Sequence, residues 1–87
     1  PKNIQYLMSL GAAQSSVRDF DAVVRTFRTV VELQPQNVSA WINLGKAYAI
    51  QKRFEEAAGA FGKALEAEPG NQTAKSLLQK FGSRPRR

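Results

Sequence analysis

Apolar side chains recur at helical spacing along most of this chain. Across 38–51, Ala40, Leu44, Ala47 and Tyr48 fall on one stripe, and across 54–67, Phe54, Ala57, Ala58, Phe61, Ala64 and Leu65 fall on another. That is the pattern of two amphipathic helices whose apolar faces meet. Pro35 and Pro69 interrupt the periodicity, because proline disfavours the helical conformation in the residue before it and has no N–H to give to a carbonyl one turn back. Asn37 and Asn71 follow the prolines, where an asparagine side chain caps the first turn of the next helix. The spacing predicts an all-α chain with helices over 4–17, 20–33, 38–51, 54–67 and 72–81.

A shift of 34 residues superimposes the chain on itself. It aligns Leu10 with Leu44, Gly11 with Gly45, Ala13 with Ala47, Phe20 with Phe54, Phe27 with Phe61, Glu32 with Glu66, Pro35 with Pro69 and Asn37 with Asn71. Gapless identity at one offset marks a repeat rather than a biased composition. In the second unit Trp41, Leu44, Gly45, Tyr48, Ala57, Phe61, Ala64 and Pro69 stand at the spacings W-x2-L-G-x2-Y, A-x3-F and P, and this unit resembles a tetratricopeptide repeat (TPR). The first unit carries Leu7, Leu10, Gly11, Gln14, Val23, Phe27, Val30 and Pro35 at the same places, so Leu7 replaces the tryptophan and Gln14 the aromatic. The small Gly45 and Ala57 let the paired helices approach, while Trp41, Tyr48 and Phe61 fill the space around them; a side chain at Gly45 would push the pair apart.

The resemblance implies a right-handed α-solenoid of two helix-turn-helix repeats, 4–37 and 38–71, closed by a capping helix over 72–81. Ala74, Leu78 and Phe81 would cover the second repeat, and Lys75, Gln79 and Lys80 would give the cap its polar outer face. Pro1 and Asn3 stand one period before Pro35 and Asn37. Residues 1–3 therefore read as the end of a preceding repeat, with a leader as the alternative, and the chain as the C-terminal part of a longer array. Residues 82–87 read as a basic, flexible tail.

The formal net charge of +6 suggests a nucleic-acid ligand until its distribution is considered. Residues 1–37 hold four basic and three acidic side chains, 38–71 hold four of each, and 72–87 hold five basic and none acidic. The repeats are close to neutral. The basic end, Lys75, Lys80, Arg84, Arg86 and Arg87, has no interleaved aromatics beyond Phe81, which disfavours a nucleic-acid reader; docking to an acidic partner remains as a lesser reading. No apolar run is long enough to span a bilayer, so no membrane insertion is expected. With no cysteine, the compartment stays open between cytoplasm and periplasm.

Catalytic inventory is thin. The chain has neither His nor Cys, and the acids include Glu55 and Glu56, which the helix dipole favours in a first turn. No pairing suggests acid–base chemistry, and no cofactor, metal or enzymatic activity is expected. Mid-helix Gly59 and Gly62 should each weaken their helix by about 1 kcal/mol relative to alanine.

Binding remains. The resemblance implies that the first helix of each unit lines a concave groove, offering Gln5, Met8 and Ala12, then Ser39, Ile42, Asn43, Lys46 and Ile50, with Thr73, Ser76 and Leu77 from the cap. Such a surface suits an extended peptide or a partner helix. Members that grip a chaperone's C-terminal carboxylate use Lys and Asn in the first groove helix, Asn in the second, and Lys and Arg in the third. Those places here hold Met8, Ala12, Asn43, Thr73 and Leu77; Asn43 alone matches, which argues against that clamp. The second expectation is self-association, by stacking on the uncovered side of the first helix at Ile4, Tyr6 and Leu7, or by swapping helices through Gln34–Asn37.

Overall fold

The computed structural model describes residues 3–82, which fold into five helices: α1 (Ile4–Ser16), α2 (Phe20–Leu33), α3 (Val38–Ile50), α4 (Phe54–Ala67) and α5 (Gln72–Gly82). Helices α1 and α3 each end one residue earlier than the spacing predicts, and α5 continues to Gly82. Pro1, Lys2 and residues 83–87, which include Arg84, Arg86 and Arg87, lie outside the described residues.

Each helix packs against the next in sequence, and the caps show why the chain turns where it does. Asn3, Asn37 and Asn71, spaced one repeat apart, accept hydrogen bonds at Oδ1 from the backbone N–H groups of Tyr6, Ala40 and Ala74, at 2.9, 2.9 and 2.8 Å. Asn37 and Asn71 also donate through Nδ2 to Gln34 and Glu68 across the proline turns. One asparagine therefore satisfies a free amide of the next helix and braces the turn that precedes it.

The turns inside each hairpin use different chemistry. Arg18 and Lys52 hold φ near +63° and +64°. Beside them, the Asp19 N–H donates to Gln14 O and the Arg18 N–H to Ser15 O, and in the second hairpin Arg53 donates to Tyr48 O and Lys52 to Ala49 O. This is the Schellman ending, in which a left-handed residue lets the chain close off the last carbonyls of a helix. Glycine is the usual residue at that place, and a β-carbon there is strained.

The core is a continuous column. Val23, Val24, Phe27, Val30 and Val31 of α2 meet Ala40, Leu44, Ala47 and Tyr48 of α3, which meet Ala57, Ala60 and Phe61 of α4. Ala74 and Phe81 close it from α5, with the Phe81 ring stacked on Phe54 at 5.7 Å and near Phe61 at 6.2 Å. Gly11 and Gly45 set the spacing within the hairpins: a β-carbon built on either would collide with the ring of Phe27 or Phe61. Gly59 and Gly62 have nothing within 4 Å of the position a β-carbon would take, so packing does not require glycine there.

Candidate functional site

Three of the helices, α1, α3 and α5, line one face of the molecule, with α2 behind the first two. Between α1 and α3 lies a cavity of about 310 Å³ lined by Met8, Gly11, Ala12, Ser15, Phe20, Val23, Phe27, Asn43, Lys46, Ala47 and Ile50. A second, of about 270 Å³, lies between α3 and α5 and is lined by Lys46, Ala49, Ile50, Leu77, Lys80 and Phe81. Lys46 and Ile50 line both, so the two hollows adjoin and form one groove across the face.

The sequence-derived groove residues distribute unevenly over it. Met8, Ala12, Asn43, Lys46, Ile50 and Leu77 line the cavities. Gln5, Ser39 and Thr73 are exposed and Ile42 is half-buried, all outside those linings. Ser76 lines a separate depression with Leu65, Gln72, Lys75, Leu78 and Gln79 on the far flank of α5. A single helical step of 100° separates Ser76 from Leu77, which is enough to send the two side chains to different faces. Ile50, half exposed at the last turn of α3, lines both hollows.

The groove's floor comes from residues that double as core. Phe27 and Val23 of α2 are almost fully buried yet reach its base. Helical periodicity identifies such residues as core and gives no sign that their far edges are accessible.

Two further constellations lie outside the groove. On the opposite side, Arg28, Val31, Glu32, Trp41, Leu44, Tyr48, Glu56, Gly59, Ala60 and Lys63 surround a cleft of about 380 Å³ between α2 and α4, floored by α3. Its apolar floor follows from the absence of a side chain at Gly59 and the small one at Ala60. At the turn between α3 and α4, a polar chain runs from Asp21, which accepts from Gln51 Nε2 at 2.6 Å, through Gln51 Oε1, which accepts from Arg53, to Glu56. Arg53 Nε and Nη2 donate to the two Glu56 oxygens at 2.8 and 2.7 Å, and the guanidinium lies 4.7 Å over the Tyr48 ring. Hydrogen bonding to Arg53 holds the Glu56 carboxyl below the usual glutamate range, against a smaller desolvation that acts the other way. The same bond raises Arg53 further above its usual value. Arg53 is the residue before α4 and provides no side-chain cap; it pairs instead with the first-turn Glu56.

Comparison with known proteins gives a consistent answer. The family model for the tetratricopeptide repeat matches residues 5–72. Among solved structures, the Arabidopsis OM64 TPR domain superimposes with a TM-score of 0.86 at 28% identity, covering 93% of this chain and 67% of that one. A MamA mutant superimposes at 0.84 with 26% identity, covering 95% of this chain and 61% of that one. The chain thus spans about two thirds of these relatives' length. No curated protein matches.

Proposed function

The chain belongs to the tetratricopeptide repeat family, whose members act as protein-interaction scaffolds, and on that premise we propose that its α1–α3–α5 face holds an extended peptide or a helix of a partner protein. One observation carries this: the two adjoining hollows that share Lys46 and Ile50 make a groove running across both hairpins and onto α5. Its lining mixes apolar Met8, Ile50 and Leu77 with polar Asn43 and Lys46, the composition that fits a side chain or two of a partner and fixes its direction with a few hydrogen bonds. We read 4–37 and 38–71 as the two repeats and α5 as their cap, and the chain as non-enzymatic.

The test is crosslinking in the source cell. A photoreactive residue at Ile50 should capture a partner that the same group at Glu66, on the outer face of α4, does not. Asn43→Ala and Ile50→Asp should each reduce capture. If all variants recover the same partners as the parent, the groove is not the binding site.

Self-association is the second reading, favoured by α1 alone. Tyr6 is 62% exposed and Gly11 is the one buried residue of α1, while Ile4 and Leu7 are half-buried against the core, so the part of this helix left open to another stack is centred on Tyr6. Light scattering decides it: a mass that stays monomeric across concentration removes the reading.

A further inference from the structure

Charge in this molecule is sorted by helix. Every carboxylate side chain in the chain, from Asp19 to Glu68, lies on or at an end of α2 or α4. Helices α1, α3 and α5 carry none. Their charged residues are Lys46, Lys75 and Lys80, and two of these, one repeat apart, stand in the same hollow.

That hollow is the α3–α5 half of the groove. Ala49, Ile50, Leu77 and Phe81 give it an apolar lining, and Lys46 and Lys80 complete it. The ion pairs among the described residues are Arg53–Glu56 and Lys63–Glu66, so neither groove lysine has a carboxylate partner there. Lys80 Nζ lies 5.5 Å over the Phe81 ring, which holds the ammonium beside the hollow without neutralising it. At the α1 end of the groove Ala12 takes the register place of Lys46, so α1 adds no charge of its own and Lys46 is the one charged residue lining that hollow. The groove's positive charge is therefore concentrated at its α3–α5 end, where two lysines line one hollow.

We propose that the α3–α5 hollow selects an acidic segment of a partner protein, in which a large apolar side chain enters between Ile50, Leu77 and Phe81 while flanking carboxylates meet Lys46 and Lys80. The inference rests on the groove reading above. Complementary charge of this kind raises the rate of encounter and rejects basic competitors through like-charge repulsion. A free C-terminus is not required, since Lys46 and Lys80 come from different helices, α3 and α5, and line the hollow together with four apolar residues. A polyphosphate backbone is disfavoured, because the cations are few and the surface between them is apolar.

The experiment uses an array of short random-sequence peptides, each printed with a free and with an amidated C-terminus, probed with the parent chain, Ile50→Asp, and the double variant Lys46→Glu/Lys80→Glu. Both lysines are exposed, so the double variant should keep its helical circular dichroism. The expected binders are rich in Asp and Glu next to a large apolar residue and indifferent to amidation. They should weaken about tenfold in the double variant and lose affinity as salt rises from about 0.05 M to about 0.5 M. Binders that Ile50→Asp loses but that show no acidic bias, or that the double variant holds as tightly, overturn the charge inference and leave the groove standing. An array in which Ile50→Asp loses nothing overturns the groove reading as well. Single-stranded DNA that displaces the acidic peptides and binds more tightly than they do would assign the lysines to nucleic acid and overturn the proposal.

Discussion

The two hairpins share a register and differ in how they fill it. In the second, Tyr48 is buried on α3 and the small Ala60 stands on α4. In the first, the same two places hold Gln14 and Thr26, and the buried Thr26 hydroxyl donates to Gln14 Oε1 at 2.7 Å. An aromatic ring over an alanine has been exchanged for a hydrogen-bonded polar pair. Helix α3 has neighbours on both sides and buries Ala40, Leu44, Gly45, Ala47 and Tyr48, whereas α1 packs chiefly on α2. A repeat's stability is thus set as much by its place in the stack as by its own sequence, and the end helices α1 and α5, each with one buried residue, are held less firmly than α3.

The largest effects should come from the two phenylalanines that face the close-approach glycines. Phe61→Ala is expected to cost about 3–5 kcal/mol in urea unfolding, from lost burial plus the cavity left in a column closed by Phe81. Phe27→Ala should fall at the lower end of that range, because α1 can settle into the gap. The glycines sharpen the contrast: Gly45→Ala should destabilise by about 1–3 kcal/mol, and Gly11→Ala by less, with the difference appearing as faster amide exchange in α1. Equal costs at the two sites would mean that α1 is held as firmly as α3.

Next comes the exchanged pair. Thr26→Ala alone leaves the Gln14 amide short of a partner and Gln14→Tyr alone crowds the Thr26 hydroxyl, each at about 1 kcal/mol or more. Together they reproduce the second hairpin's pairing and should recover most of that loss, a non-additivity that a double-mutant cycle measures. Additive losses would show that the two residues are independent.

Smaller and opposite in sign are the stabilising changes. Lys52→Gly relieves a left-handed backbone, and Gly59→Ala adds a β-carbon where there is open space; each should raise stability by about 0.5–1 kcal/mol. Arg18→Gly should match Lys52→Gly if the two turns are equivalent.

The smallest effect is that of pH. Because the folded Glu56 carboxyl titrates below its unfolded value, its contribution is fully present above the ordinary glutamate range and fades as pH falls through that range towards the lower folded value. Glu56→Gln should remove this part of the acid dependence. An unchanged acid limb in denaturant melts would show that the Arg53 bond has no weight in solution, as exposed pairs often have little.

The periodic parts of this structure were open to sequence reasoning because each rests on one residue type repeated at one spacing. Asn37 and Asn71 announce their helices, and Gly45 its contact with a large ring, through rules that act over a few residues. What the sequence concealed depends on two elements meeting. Thr26 reads as a neutral helix residue until α1 brings Gln14 to it, and the left-handed turns at Arg18 and Lys52 carry residues that do not advertise them. Along the groove, the register placed Met8, Asn43 and Lys46 on one face, yet Ser76 and Leu77 separate at the cap because small helical rotations decide which flank a side chain joins. The contribution of Phe27 and Val23 to the groove floor required three helices in place.

Trp41 gives the molecule an optical reporter. It is the chain's single tryptophan, its indole N–H donates to the Pro35 carbonyl at 2.7 Å, and it lies half-buried at the junction between the hairpins. Parting of the hairpins would break that bond and wet the ring, whereas fraying of α1 or α5 would leave it in place. Its emission maximum should therefore track the opening of this one seam, so that a comparison with far-ultraviolet dichroism separates melting of the stack from melting of its ends.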